Sequence, residues 1–240
     1  MEPDCHKFAL VVPTLNEVGN IELLLTQLVA ALSQSSLIWE ILVVDDQSAD
    51  GTPGIVNRFA ESESRVRLLV RSGQRGLAGA ITYGWAQTDA DLLGVIDADL
   101  QHPPELLPML ISKVANGCDI AIASRYVQPH SIDGWSPIRA AISRMSLLAS
   151  KPVQKPALAV KDPMSGYFVL QRKCISGLDF QPTGFKLLLE ILARGQISSV
   201  TEVPFKFAPR QQGKSKANLM TAVHYLSLLC RLVFKSGTST

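Results

Sequence analysis

The run Asp97-Ala98-Asp99-Leu100-Gln101-His102-Pro103-Pro104-Glu105 is the stretch of this sequence with the densest chemistry. Two carboxylates stand two residues apart where an apolar run, Asp91 to Asp99, comes to its end. On an extended chain such residues point to the same side, and Gln101 adds a third oxygen just beyond. Hard cations such as Mg2+ and Mn2+ take oxygen ligands of this kind and complete their shell with water or substrate phosphate. A second acidic run end, Asp45-Asp46, is expected nearby. His102 offers a base beside the site, although a histidine in such a turn more commonly packs or bonds locally.

Cations supply the complementary half of the chemistry. Arg125 ends the apolar run Asp119–Tyr126. Arg139 and Ser143 are four residues apart, so on a helix they share a face. Arg210 and Lys216 sit in the polar segment Ala208-Pro209-Arg210-Gln211-Gln212-Gly213-Lys214-Ser215-Lys216. A planar guanidinium fork suits phosphate oxygens. Two common phosphate motifs are excluded. Gly213-Lys214-Ser215 lacks the earlier glycine of a phosphate-binding loop, because Ala208 stands there. Gly73, Gly76 and Gly79 are spaced by three, which does not make a dinucleotide fingerprint.

The elements that must position these groups alternate along the chain. Strands are expected at Phe8–Thr14, Trp39–Asp46, Val66–Ser72, Asp91–Asp99 and Asp119–Tyr126. Between them lie helical patterns at Glu17–Gln34, from Asp50 onward, at Gly76–Gln87 and at Pro103–Gly117. Near-continuous apolar strands separated by helices imply an α/β fold, a mostly parallel sheet covered on both faces. Ligands then bind beyond the carboxyl ends of the strands, which is where the acids stand. Later come a basic amphipathic helix (Gly134–Val153), a strand (Met164–Lys173), a helix (Phe185–Arg194), a strand (Val200–Ala208) and a last helix (Asn218–Lys235). Residues 1–217 are read as one catalytic domain and 218–240 as an amphipathic segment that lies on a membrane surface.

Bulk composition permits this reading. The 240 residues are 47% hydrophobic and 18% charged, with a net charge of +2. The charge is segregated: Gly134–Lys161 holds five basic residues and no acid, and Lys206 to the C-terminus holds six and no acid. Such segments suit phosphates or an anionic membrane. Without interleaved aromatics they do not suit nucleic acid. The four cysteines show no metal-ligand spacing and read as thiols of a reducing compartment. The N-terminus carries no signal peptide pattern, and no apolar run is long enough to span a bilayer. A peripheral protein on the cytoplasmic face is expected, seated directly or by a small membrane-spanning partner.

The segments Val12–Glu17, Val43–Thr52, Arg75–Gly84, Asp97–Glu105, Ala123–Tyr126, Asp162–Phe168 and Phe207–Lys216 occur in the order seen in inverting family-2 glycosyltransferases of the GT-A fold. As a set they resemble the polyprenyl (dolichol) phosphate mannosyltransferases, over roughly Phe8 to Lys216. The resemblance implies that Pro13, Leu15, Glu17, Val44 and Asp46 bind the nucleotide. It implies that Asp97, Ala98, Asp99 and Gln101 hold Mg2+ or Mn2+ and the diphosphate. Arg125, Arg139 and Ser143 would hold the acceptor phosphate, and Arg210 and Lys216 would close over the donor. Leu15 replaces the tyrosine usual at that place, which bears on the choice of base.

The implied reaction moves mannose from GDP-mannose to a polyprenyl phosphate. The acceptor oxygen is already anionic, so little general-base help is needed, and the work is electrostatic and positional. A glucosyltransferase using UDP-glucose would share most of these motifs, and a silent sugar-nucleotide-binding protein is the alternative outside catalysis. The segment Ala208–Ala217 is expected to act as a lid.

Overall fold

A computed structural model of the chain describes residues 6–35, 37–73, 75–128, 137–155, 158, 160–180, 186–206, 227–229 and 231–232, apart from the side chains of 137–142. In chain order the elements are β1 (Lys7–Thr14), α1 (Ile21–Leu32), β2 (Ile38–Asp45), α2 (Thr52–Ser62), β3 (Val66–Val70), α3 (Leu77–Ala86) and β4 (Leu92–Val95). They continue as α4 (Leu107–Ala115), β5 (Ile120–Ser124), α5 (Pro137–Ser150), β6 (Phe168–Gln171), α6 (Leu187–Arg194) and β7 (Val200–Pro204). The strands form one seven-stranded sheet in the order β3-β2-β1-β4-β6-β5-β7. All neighbours are parallel except β6, which runs antiparallel to both β4 and β5.

Strand alternation divides the core into two layers. Phe8, Leu10 and Val12 of β1 face one way and pack with Leu24 and Leu28 of α1, Val56 of α2 and Leu110 of α4. Ala9 and Val11 face the other way, toward Ile81 and Trp85 of α3 and Leu188 and Ile191 of α6. Helix α3 lies unusually close: a Cβ on Gly84 would stand 2.7 Å from Val11 Cγ2 and 2.9 Å from Val44 Cγ2. Strand order reverses between β1 and β4, so their connections leave on opposite sides and open a crevice at their carboxyl ends.

Several elements differ from the expected ones for identifiable reasons. Helix α1 begins at Ile21, not Glu17, because Asn16 takes a left-handed φ of 57° and a turn precedes the helix. Strand β4 stops at Val95, so Asp97 and Asp99 are not on a pleated strand. They lie in a turn closed by Leu100 at φ 58°. Strand β6 is shorter than its apolar run because Asp162–Gly166 forms a buried loop.

Part of the expected surface helix packs inward. Residues 227–229 and 231–232 are helical, and Leu228, Leu229 and Leu232 are buried with Val153 and Leu189 of α6. Arg231, read as part of a polar stripe, instead donates from Nη2 to the buried Glu190 Oε1 at 3.1 Å, which Arg194 also meets at 2.6 Å. The rest of 218–240 lies outside the described residues. Among the described residues no helix is long and apolar enough to cross a membrane.

Candidate active site

The loops after β1 and β2 are clasped together by their own polar side chains. The Asn16 amide donates to Ser48 Oγ at 2.7 Å, and the Ala49 amide donates to Asn16 Oδ1 at 2.9 Å. Val18 N donates to Asp50 Oδ2, while Thr52 Oγ1 donates to Asp50 Oδ1 and accepts from Glu17 N. Burial pushes the Asp50 carboxyl up, but hydrogen bonds from Thr52 and Val18 outweigh it and hold it below its ordinary value. This clasp explains Asn16, Ser48, Asp50 and Thr52 without a ligand.

The acids at the end of β2 are likewise occupied. Asp45 is fully buried and accepts from Thr14 Oγ1, Ser48 N and Ser48 Oγ. Asp46 accepts from Arg71 Nε at 2.7 Å and Nη2 at 3.2 Å, and from the Gly76 amide at 2.8 Å. Arg71, not singled out in the sequence, thus ties β3 and the start of α3 to Asp46. The second acidic end stands one strand away from the Asp97 turn, because β1 lies between β2 and β4. Val44 is wholly buried and Ala98 nearly so. Pro13, Leu15 and Glu17 are half-buried around the end of β1.

Asp97 and Asp99 are half-buried in the turn after β4, and the Gln101 amide donates to Asp99 Oδ1 at 3.2 Å. Gly166, in the loop before β6, lets Asp97 approach. A Cβ there would lie 2.8 Å from Asp97 Cγ and nearer still to Oδ2. Gly166→Ala therefore displaces this carboxylate. Transfer is expected to fall about a hundredfold, the scale of a roughly 1 Å misplacement, with little change in melting temperature. Equal activity by rate assay would detach Asp97 from the site.

His102 is a buried wedge under this turn. Its ring lies 5.6 Å from Tyr167 and 5.4 Å from Phe205, and Nδ1 stands 4.0 Å from Asp97 Oδ2. Burial pushes the imidazole down to about 4 despite Asp99, so it is neutral at physiological pH. Its surroundings are those of a packing group rather than of a base open to substrate.

Arg125, just past β5, is fixed by Asp162, a partner 37 residues further along the chain. Its Nε and Nη2 donate to Asp162 Oδ2 and Oδ1 at 2.8 and 2.7 Å, and its backbone amide donates to the same Oδ2. Asp162 is fully buried. Its own amide and that of Lys161 donate to Glu202 of β7 at 2.9 and 2.8 Å. Burial lowers the guanidinium, yet Asp162 and, more weakly, Asp97 raise it overall, so Arg125 stays a cation.

Lys186, at the N-cap of α6, is a further functional candidate that no sequence motif marks. A cation at a helix N-terminus opposes the helix dipole, which is the signal that could have marked it. Together with Asp97 and Gly166 it lines a cavity of about 110 Å3 between α3 and α6. Burial, with Arg125 adding to it, pushes the ammonium down to about 8 against the pull of Asp97 and Asp162.

Of the expected acceptor residues, Ser143 on α5 meets the Tyr126 hydroxyl at 2.5 Å, which places it one residue from Arg125. Arg139 is on α5 one turn earlier, but its side chain lies outside the described residues, as do Arg210, Lys216 and the whole expected lid. Among the described residues no three His, Cys, Asp or Glu side chains form a metal cluster. Asp97, Asp99 and Gln101 nonetheless fit a hard divalent cation: all are oxygen donors in one turn, and substrate phosphate would complete the shell.

This strand order, with an acidic turn after β4 at the switch point, defines a glycosyltransferase fold of the GT-A kind. Residues 9–178 match glycosyl transferase family 2, and the chain belongs to that family. It is similar to the dolichol-phosphate mannosyltransferase of Pyrococcus furiosus, with 39% identity over 231 residues, 96% of this chain and 65% of the relative. It is also similar to that of Saccharomyces cerevisiae, with 34% identity, covering 97% of this chain and 90% of the relative. The chain thus spans just under two thirds of the archaeal relative's length and most of the yeast one's. Among solved structures, glucosyl-3-phosphoglycerate synthase from Mycobacterium tuberculosis, in complex with Mn2+ and UDP-glucose, matches with a TM-score of 0.69 at 19% identity. That match covers 98% of this chain and 80% of the other, and it speaks for the fold alone.

Proposed function

We propose that the chain transfers mannose from GDP-mannose to a polyprenyl phosphate at a membrane surface, with inversion. The observation that carries it is the meeting of Asp97, Asp99, Gln101, Arg125 and Lys186 at the ends of β4 and β5 and the start of α6. Relatives named dolichol-phosphate mannosyltransferase, 33% to 39% identical over nearly the whole chain, support the choice of substrates.

In this reading residues 1–217 are the catalytic domain. Asp97, Asp99 and Gln101 hold Mg2+ or Mn2+, which would offset charge on the donor diphosphate and so ease its departure. Pro13, Leu15, Glu17 and Asp46 seat the nucleotide, with the buried Val44 backing them. Ala98 lends its backbone to the diphosphate. Lys186, which lines the same cavity as Asp97, neutralises the leaving group. Arg125, held rigid by Asp162, presents a fixed cation between the donor and Ser143, where the acceptor phosphate docks with Arg139. Arg210 and Lys216 close over the donor. The acceptor oxygen arrives ionised, so no side chain must take its proton.

Lys186→Gln tests the leaving-group role. Removing a charge-assisted bond to phosphate is expected to raise the donor KM about tenfold or more. Melting temperature should hold or rise, because a desolvated ammonium is removed. A donor KM unchanged in steady-state assays would sink the role. The donor itself is tested by thermal shift with Mn2+ present. GDP-mannose is expected to stabilise the protein, and UDP-glucose at equal concentration much less. The reverse order would assign a glucosyltransferase.

A further inference from the structure

Helix α6 is covered on two faces, with Leu187 to Leu192 all buried. Leu188 and Ile191 pack into the layer shared with α3, while Leu189 packs against Leu228, Leu229 and Leu232 of the C-terminal turn. An acid stands among these leucines. Glu190 is 1% exposed, and its Oε1 accepts from Arg194 Nη1 at 2.6 Å and from Arg231 Nη2 at 3.1 Å. Arg194 also reaches the Asp179 carbonyl at 2.9 Å, and Lys155 Nζ reaches the Gly195 carbonyl, just past the helix, at 2.6 Å. Apolar side chains would cover this surface as stably, since a buried ion pair adds little over a well-packed replacement. What charge-assisted bonds add is a fixed geometry.

The geometry that needs fixing lies one turn earlier. Lys186, Leu187 and Leu188 form the α6 wall of the cavity that Asp97 lines from the other side. The Glu190 amide donates to the Lys186 carbonyl at 3.3 Å, so the two residues are joined through the first turn. The helix is eight residues long, about 12 Å at 1.5 Å per residue, and so short a rod carries a shift at Glu190 to Lys186 undiminished. We infer that Glu190 and Arg231 are positioning residues for Lys186: the C-terminal turn clamps α6 and thereby sets the ammonium at the diphosphate site. The inference rests on the leaving-group role given to Lys186 above. It extends the working unit past residue 217, because Arg231 acts on the site without touching substrate.

The test is a double-mutant cycle on the full chain, read by calorimetric binding of GDP with Mn2+. Arg231→Met leaves Arg194 to satisfy Glu190. It should weaken GDP binding severalfold, by no more than the roughly tenfold of Lys186→Gln itself. Added to Lys186→Gln it should cost less than about twofold more, because residues that act through one another are not additive. Donor KM should rise and acceptor KM stay. Arg231→Lys should recover most of the loss, since only one bond to Glu190 is in use. Without ligand, hydrogen exchange at the amides of 187–190 should quicken about tenfold in Arg231→Met, as a local opening. Glu190→Gln carries the same expectations, so the test stands if Arg231→Met does not fold. Full additivity in the cycle, or unchanged exchange at 187–190, would overturn the inference. So would GDP affinity that holds in Arg231→Met but falls in Lys186→Gln. Unchanged affinity in Lys186→Gln alone would fault the leaving-group role and take the inference with it. A wild type that binds no GDP would fault the donor reading instead, and the exchange measurement would then decide the clamp.

Discussion

Asp99→Ala is expected to lower transfer about a thousandfold or more while the protein remains folded. The side chain is half-buried in the turn after β4 and accepts a backbone hydrogen bond from Gln101 at 3.2 Å. Losing that bond costs about 1 kcal/mol of stability, a modest change. In the proposed site, losing one of three oxygen ligands would remove the cation that offsets charge on the departing diphosphate, an effect of several kcal/mol, with each 1.4 kcal/mol a factor of ten. Circular dichroism and melting temperature would report the fold. Titration with Mn2+ and a nucleoside diphosphate would report the site. A variant that transfers at the wild-type rate, or a wild type indifferent to EDTA, would remove the metal from the account.

The second large effect is expected at Asp162, a residue that touches no substrate in this reading. Asp162→Asn leaves the Arg125 guanidinium, only 15% exposed, without its bidentate carboxylate. Breaking a buried pair by removing one partner costs about 3–5 kcal/mol. The melting temperature should therefore drop sharply. At a temperature where the variant is still folded, transfer should fall about a hundredfold, because a cation free to swing no longer orients the acceptor. Arg125→Lys should behave similarly, since an ammonium cannot make the two parallel bonds. A purely structural role predicts that folded Asp162→Asn transfers normally, with unchanged KM for the acceptor. That outcome would reduce the Arg125–Asp162–Glu202 chain to scaffolding.

The outline of the fold was legible because five apolar runs alternate with amphipathic ones, and β1, β2, β3 and β5 appear close to where those runs stand. Two features were not. The run through Asp99 looks like one long strand, yet β4 ends at Val95, because a left-handed Leu100 and the packing of Asp97 on Gly166 are tertiary facts. Strand β6 looks like its neighbours but runs antiparallel, since direction depends on how the Asp119–Gln171 excursion returns. At the candidate site, motif spacing singles out Asp97, Asp99, Gln101 and Arg125, which the fold sets in the turn after β4 and just past β5. It could not show that Asp45 and Asp46 are spent on Thr14, Ser48 and Arg71, because those partners are distant in sequence. Asp162 and Lys186 were visible as residues but carry meaning only once folding brings them to Arg125 and Asp97. The last helix shows the limit of amphipathic reading. An apolar face beside Arg231 fits a bilayer or a protein equally well, and Glu190 decides the matter for the described turn.

The central claim is tested most directly by mixing the full chain with labelled GDP-mannose, a polyprenyl phosphate and Mn2+ in detergent, and examining the lipid phase. The account predicts label in a mannosyl phosphoryl lipid with the anomeric configuration opposite to that of the donor, and none when EDTA replaces the metal. Label that stays in water as free mannose, a product of retained configuration, or efficient transfer from UDP-glucose but not from GDP-mannose would contradict it.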